Sequence, residues 1–399
     1  MAIQQTAAVP KKPLIGLNYP VPWNAYGVYF GGGNPPASFP PLDAWTVNLK
    51  QNLIQLRDTL GIRVVRIFLM GNAVNYGTVA RGGTVSGSGF PPVVGFPTPV
   101  FTPPAALHPK FVDHLQKMFL AFRDTSCLVI PSLIDFKAFG ANVLLSPAVA
   151  AAPPIVFEGS VIIQGTKAKP AVDNGCFDRQ AIVQDSAVRD AFFRQTLEAF
   201  LTASIPFKTS IYAWEVQNEP YWNIQSFANT FVPLRIAGGP TVTESESSVF
   251  LQQGIDLIHK HGFQSTVGHR FLDDLDNLPT GSRRQFHYYP RDIAGALGFS
   301  DSRLPKFDET KAFLGEFGIQ APSDDHGDLW PDLNGADAGT TDTRVLARLN
   351  FIRAQGYPLA LIWPDGLDEH SKSSPAPGLD PIQLSPLAQK GIQAFMASS

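Results

Sequence analysis

The chain has 399 residues, of which 44% are hydrophobic and 16% charged, which permits a large buried core and excludes disorder of the chain as a whole. A net charge of -3 without a basic stripe excludes electrostatic attraction to nucleic acid or to an anionic membrane, and a neutral ligand is expected instead. No run of about 18 apolar residues offers a membrane span.

The opening "MAIQQTAAVPKKP" lacks the apolar stretch of a signal peptide, so the expectation is a cytosolic chain or a mature form with its leader removed. A tail over 1–12 precedes the first regular element. The 34 glycines and 35 prolines signal long, ordered loops between elements, where functional residues concentrate.

Taken in chain order, "PLIGLNY" (13–19) is the first of eight short apolar runs rich in strand-forming residues. A helical pattern follows over 42–60, with Asp43 as its start signal, and then "RVVRIFL" (63–69). A Gly/Pro/Ala-rich insertion occupies 70–107 before a helix over 108–124 and the third run, "CLVIPSLID" (127–135). The second insertion, 136–184, contains "VIIQGTKAKPAV", which reads as a small hairpin walling a cleft. A helix over 186–203 leads to "SIYAWEVQNE" (210–219), and another over 244–262 to "STVGHRF" (265–271). The connection to "RQFHYYP" (284–290) is too short for a confident helix. "AFLGEFGI" (312–319), a helix over 342–355 opened by Thr341 and Asp342, "LALIWPDG" (359–366) and a closing helix over 386–397 complete the chain.

Near-continuous hydrophobicity in most runs fits strands covered on both faces, and the alternation with helices predicts a single (β/α)8 barrel over 13–399. A doubly wound sheet is disfavoured because no glycine-rich phosphate loop follows the first strand. In a barrel both insertions follow strands and fall on the C-terminal face, where barrel enzymes build their sites. Cys127 begins the third strand and Cys176 lies in the second insertion, roughly 25 Å apart by strand rise, so no bridge is expected between them.

The stretch "WEVQNEPYWN" carries two glutamates four residues apart. Strict alternation puts Trp214, Val216 and Asn218 on one face and Glu215, Gln217 and Glu219 on the other. Glu215 lies mid-strand and reads as a buried scaffold charge needing a partner. Glu219 comes last before Pro220, which cannot donate to a ladder and ends the strand, so its carboxylate opens toward the cleft. Glu316 sits near the end of the seventh strand between Gly315 and Gly318, which are expected to leave room beside it for a ligand. Paired carboxylates on one rim suit glycosidic bond cleavage.

"WEVQNEP", "HYYP" and "LGEFG", in that order on the fourth, sixth and seventh strands, resemble the clan A glycoside hydrolases, most of all glycoside hydrolase family 5. The resemblance spans the eight units. It implies Glu219 as acid/base, Glu316 as nucleophile and Asn218 as a hydrogen-bond partner of the sugar 2-hydroxyl. Arg66 matches the clan's strand-two arginine that holds the nucleophile, with an ion pair to Glu215 as the alternative. Tyr289 matches the tyrosine that donates to the nucleophile, and Trp363 the tryptophan floor beneath the reacting sugar. His287, two residues before Tyr289, is expected on the same face near Glu219. Trp222, Tyr221, Trp23, Tyr26 and Trp330 fall in loops and could extend an aromatic platform, with loop packing as the competing role. The chain departs from the family after the third strand, where Asp135 and Lys137 stand in place of a histidine. Asp135 is expected either to contact a sugar hydroxyl or to pair with Lys137.

The resulting expectation is a retaining β-glycosidase acting on a β-glucan or β-mannan type carbohydrate, with no metal and no cofactor. A transglycosylase of the same mechanism and a non-catalytic carbohydrate-binding barrel are the alternatives.

Overall fold

Eight parallel strands make one sheet: β1 (Leu14–Asn18), β2 (Val64–Phe68), β3 (Leu128–Asp135), β4 (Trp214–Asn218), β5 (Ser265–Gly268), β6 (Gln285–Tyr288), β7 (Phe313–Gly318) and β8 (Leu359–Trp363). The computed structural model describes residues 12–19, 42–70, 76–80, 100–107, 110–139, 163–164, 167–168, 179–224, 242–270, 277–290, 304–305, 312–320, 330–333, 335–364 and 384–398. The strand order is β6-β7-β8-β1-β2-β3-β4-β5, and a parallel bridge between His269 and Phe286 closes the sheet on itself. The His287 amide donates to the His269 carbonyl at 2.8 Å across this seam. The predicted (β/α)8 barrel is thus observed.

The surrounding helices are α1 (Leu42–Leu60), α2 (Lys110–Thr125), α3 (Ser186–Gln195), α4 (Leu197–Ser204), α5 (Glu244–Lys260), α6 (Thr341–Gln355) and α7 (Pro386–Ala397). The helix expected over 186–203 is two helices, because Thr196 leaves helical geometry at φ -108, ψ -83 while its hydroxyl bonds back to the Phe192 carbonyl at 2.7 Å. The cap of α6 is Thr340 rather than Thr341. Among the described residues no helix is long and apolar enough to cross a membrane.

The core lies between barrel and helices, where Trp214 of β4, for example, meets Phe119 of α2 edge-on at 5.9 Å. A second apolar cluster of Val64, Ile130, Phe313, Leu359 and Leu361 plugs the N-terminal end of the barrel. Because inward side chains alternate along each strand, the layer above this plug begins two residues later on β2, at Arg66. Charged and amide groups therefore fill the upper half of the barrel, and the lower half excludes water.

The expected hairpin in the second insertion is present, with Ile163 paired to Ala168 and Gln164 to Lys167. A hairpin that the sequence did not announce joins Thr78–Ala80 to Val100–Thr102 in the first insertion. Tyr76, at its base, is fully buried and donates to Gln195 of α3 at 2.8 Å, which fastens this insertion to the barrel's outer layer. Cys127 carries a free, buried thiol, and Cys176 lies outside the described residues.

Candidate active site

Arg66 organises the upper barrel. Its Nε and Nη2 form a bidentate pair with Glu215 at 2.7 and 2.6 Å, Nη1 reaches Asn18 at 2.9 Å and Glu316 at 2.5 Å, and Nη2 also donates to Asn218 at 2.6 Å. Both readings of this arginine from sequence hold together, since one guanidinium serves Glu215 and Glu316 at once. Burial works against the arginine's charge, but the two carboxylates outweigh it and raise its pKa. Glu215 also accepts from Ser132 at 2.6 Å and Gln285 at 2.9 Å, so a fully buried carboxylate has a complete set of partners.

Strict alternation along β4 fails at Asn218. Val216 points outward, against Gly254 of α5, where an added Cβ would come within 2.6 Å of it. Asn218 nevertheless shares Arg66 with Glu215 and therefore faces inward. The cause is a register irregularity between Glu215 and Asn218 in the pairing of β4 with β5. Glu219 follows in the left-handed region at φ 46, ψ 53, with its amide donating to the Gly268 carbonyl at 2.7 Å. A non-glycine residue in this conformation carries strain, here immediately before a proline that also restricts it. The turn Pro220–Asn223 is secured by Gln217 donating to Asn223 at 2.9 Å and Asn223 to the Phe136 carbonyl at 2.7 Å.

Glu316 occupies a second irregularity, where the pairing of β7 with β8 shifts between Leu314 and Phe317. The room at Gly315 is not left for a ligand, contrary to the expectation. A Cβ there would lie 2.3 Å from Gln285 Nε2 and 2.6 Å from its Cγ and Cδ, and Gln285 is held by Glu215 and by Thr266 at 3.2 Å. Gly315→Ala is accordingly expected to cost about 1–3 kcal/mol by overpacking, seen as a lower urea midpoint at unchanged m-value. An unchanged midpoint would mean that Gln285 can move aside.

His287 Nδ1 lies 2.7 Å from Glu219 Oε1 and 3.4 Å from Glu316 Oε2. Gln285 Nε2 approaches His287 Nε2 at 3.4 Å and can only donate, which assigns the proton of a neutral His287 to Nδ1. Tyr289 donates to Glu316 Oε2 at 3.1 Å. Burial raises the pKa of Glu316, His287 and Arg66 pull it back, and Glu219 adds to the rise. One carboxylate oxygen from each glutamate and a ring nitrogen of His287 lie within 4.8 Å of one another. This is the one group among the described residues that could enclose a cation, but Nδ1 is committed as a donor to Glu219 and Glu316 already meets Arg66 and Tyr289. A divalent ion would displace these bonds beside a buried guanidinium, so the donor set does not fit a metal.

Of the other residues singled out, Asp135 is fully buried and accepts from Asn218 Nδ2 at 2.8 Å. It thereby orients Asn218, and the Lys137 side chain lies outside the described residues. Trp363 ends β8 in register with Gly318 and is 8% exposed, which puts it on the rim that carries Glu316. Trp222 belongs to the turn after Glu219, with its side chain outside the described residues, as are Trp23 and Tyr26 altogether. Tyr221 packs on the core. Trp330 is no platform residue: it is 1% exposed and packs edge-on against Tyr288 at 4.9 Å and Phe317 at 5.9 Å. Arg270, just past β5, was not anticipated. Its Nε lies 3.8 Å from Glu219 Oε1, and its guanidinium carbon 4.4 Å from the centre of the Tyr289 ring. Within "STVGHRF" it reads as one more strand residue, and only closure of the barrel between β5 and β6 brings it to the site.

No protein-family model and no curated protein sequence matches the chain. Solved structures do resemble it. A β-mannanase from the blue mussel Mytilus edulis superposes with a TM-score of 0.54 at 13% identity, covering 98% of this chain and 93% of that one. A β-1,4-mannanase from the sea hare Aplysia kurodai gives 0.53 at 14% identity over 98% and 94% of the two chains. An endo-1,4-β-mannanase from Eisenia fetida gives 0.52 at 16% over 96% and 91%. At these identities the likeness is one of fold.

Proposed function

We propose that the chain is a retaining β-glycosidase of the family 5 kind, with Glu316 as nucleophile and Glu219 as acid and then base. The observation that carries this reading is that one carboxylate oxygen of Glu219 and one of Glu316 lie within 4.8 Å of each other. Retaining enzymes hold the pair about 5–5.5 Å apart, whereas inverting enzymes leave about 6.5–9.5 Å for a water molecule.

Two like charges so close share one proton. Arg66 and Tyr289 both donate to Glu316, which puts the negative charge there against the rise that burial causes, and the proton goes to Glu219 Oε2, because Oε1 accepts from His287. In the first step Glu316 attacks the anomeric carbon while Glu219 gives its proton to the leaving glycosidic oxygen. In the second, water attacks the same carbon, Glu219 takes the water's proton, and the bond to Glu316 breaks with its electrons returning to the carboxylate. Asn218, oriented by Arg66 and Asp135, has a second amide hydrogen for the sugar 2-hydroxyl, a contact that strengthens as positive charge develops. Trp363 is the floor on which the sugar ring stacks.

The three structures named above are mannanases by description, which inclines the reading toward a β-1,4-mannan, with β-glucan the other candidate. The test is the anomeric configuration of the first product released from manno- and gluco-oligosaccharides, followed by proton NMR before mutarotation. The β-anomer is expected first. Initial release of the α-anomer would overturn the double displacement.

A further inference from the structure

We propose that Arg270 is a positioning residue that sets the proton affinity of Glu219 and links it to the nucleophile's tyrosine. The inference rests on the roles just proposed for the two glutamates.

The geometry is that of a buried cation between both halves of the pair. Arg270 is 5% exposed, its Nε is 3.8 Å from Glu219 Oε1, and its guanidinium lies over the face of Tyr289, whose hydroxyl donates to Glu316. Stacking on an aromatic face fixes the guanidinium plane, so the arginine and the tyrosine orient each other. A distance of 3.8 Å is too long for a hydrogen bond but short for a Coulomb interaction, which tunes the charge of Glu219 without occupying one of its carboxylate lone pairs.

The charged and titratable groups around Glu219 come from every strand that closes on it. His287 of β6 donates at 2.7 Å, Glu316 of β7 lies across the gap with Arg66 of β2 behind it, and Arg270 enters after β5. His269, beside Arg270, is held neutral because burial lowers its pKa to about 3. In the free site the Glu316 charge favours a protonated Glu219. Once Glu316 is esterified by the sugar, that repulsion vanishes and Arg270 favours the ionised form, which is the base the second step requires. The arginine thereby helps the acid become a base within one turnover.

A cation beside a carboxylate lowers its pKa, so removing it must raise the pKa. In Arg270→Met the Glu219 carboxyl is expected to titrate about 0.5–1 unit higher, the size of a Coulomb interaction at ~4 Å in a strongly screening medium. The measurement is 13C NMR of glutamate δ-carboxyls in the substrate-free protein, with the Glu219 signal assigned by its loss in Glu219→Gln. Arg270→Gln is the second neutral variant, used where the methionine change impairs folding, and Arg270→Lys, which keeps the charge, is expected to titrate like the wild type. The alkaline limb of kcat/KM on an aryl β-glycoside should move up by the same amount in the neutral variants. A Glu219 titration unmoved in folded neutral variants, or moved equally by lysine, overturns the proposal. Absence of hydrolysis by the wild type would instead count against the glycosidase reading, because the NMR titration needs no turnover.

Discussion

Glu316→Gln is expected to lower kcat/KM on an aryl β-glycoside by at least ~10^4-fold, since loss of the group that forms the covalent bond leaves only binding and charge stabilisation. The amide keeps the shape and the contact with Tyr289 but has no charge with which to attack. Glu219→Gln is expected to lose ~10^2–10^4-fold on substrates whose leaving group needs protonation. The two losses differ in kind, and Glu219→Ala separates them. A phenol of low pKa departs without an acid, so the first step proceeds and the intermediate accumulates for want of a base. Azide, which needs no base, should then restore turnover and yield a β-glycosyl azide. Unimpaired turnover in either glutamine variant, or rescue of the Glu316 variant giving the β-azide, would falsify the assignment of roles.

Arg66→Met is expected to cost about 3–5 kcal/mol of stability, because Glu215 remains buried without its cation. Activity should fall with it, as Glu316 loses the same guanidinium. The two effects come apart in the double variant with Glu215→Gln. An amide at 215 can still meet Ser132 and Gln285 without an uncompensated charge, so most of the stability should return while activity does not. Urea denaturation and kcat/KM measured on the same preparations check this. Recovery of both together would mean that Arg66 serves the scaffold alone.

The barrel was legible in the sequence because its signal is repeated. Each run such as "RVVRIFL" is apolar on both faces, as the wrapped strand β2 requires, and each of the four-strand and seven-strand glutamates stands next to a residue that ends or loosens pairing. What the sequence hid was the local departure from period two. Asn218 looked as though it faced outward with Val216, because a bulge adds a residue without any compositional mark. Gly315 looked like space for a ligand, yet the space is filled by Gln285 from the adjacent strand, a pairing no local pattern states. Trp330 read as a loop aromatic, and it is a core residue because Tyr288 and Phe317 are brought beneath it by β6 and β7. Ser132, Gln285 and Arg270 were passed over for the same reason: a polar side chain inside a strand run reveals its importance only when its partner on another strand is known.

The left-handed backbone at Glu219 sets stability and chemistry against each other at a single position. The conformation costs of the order of 1–3 kcal/mol for a residue with a Cβ, and the Glu219 amide is held in it by its bond to the Gly268 carbonyl. Selection for a sturdier barrel alone has no reason to keep a glutamate there and has cheaper residues available. Its presence is therefore a record of what the molecule is kept for, written in backbone angles rather than in a motif.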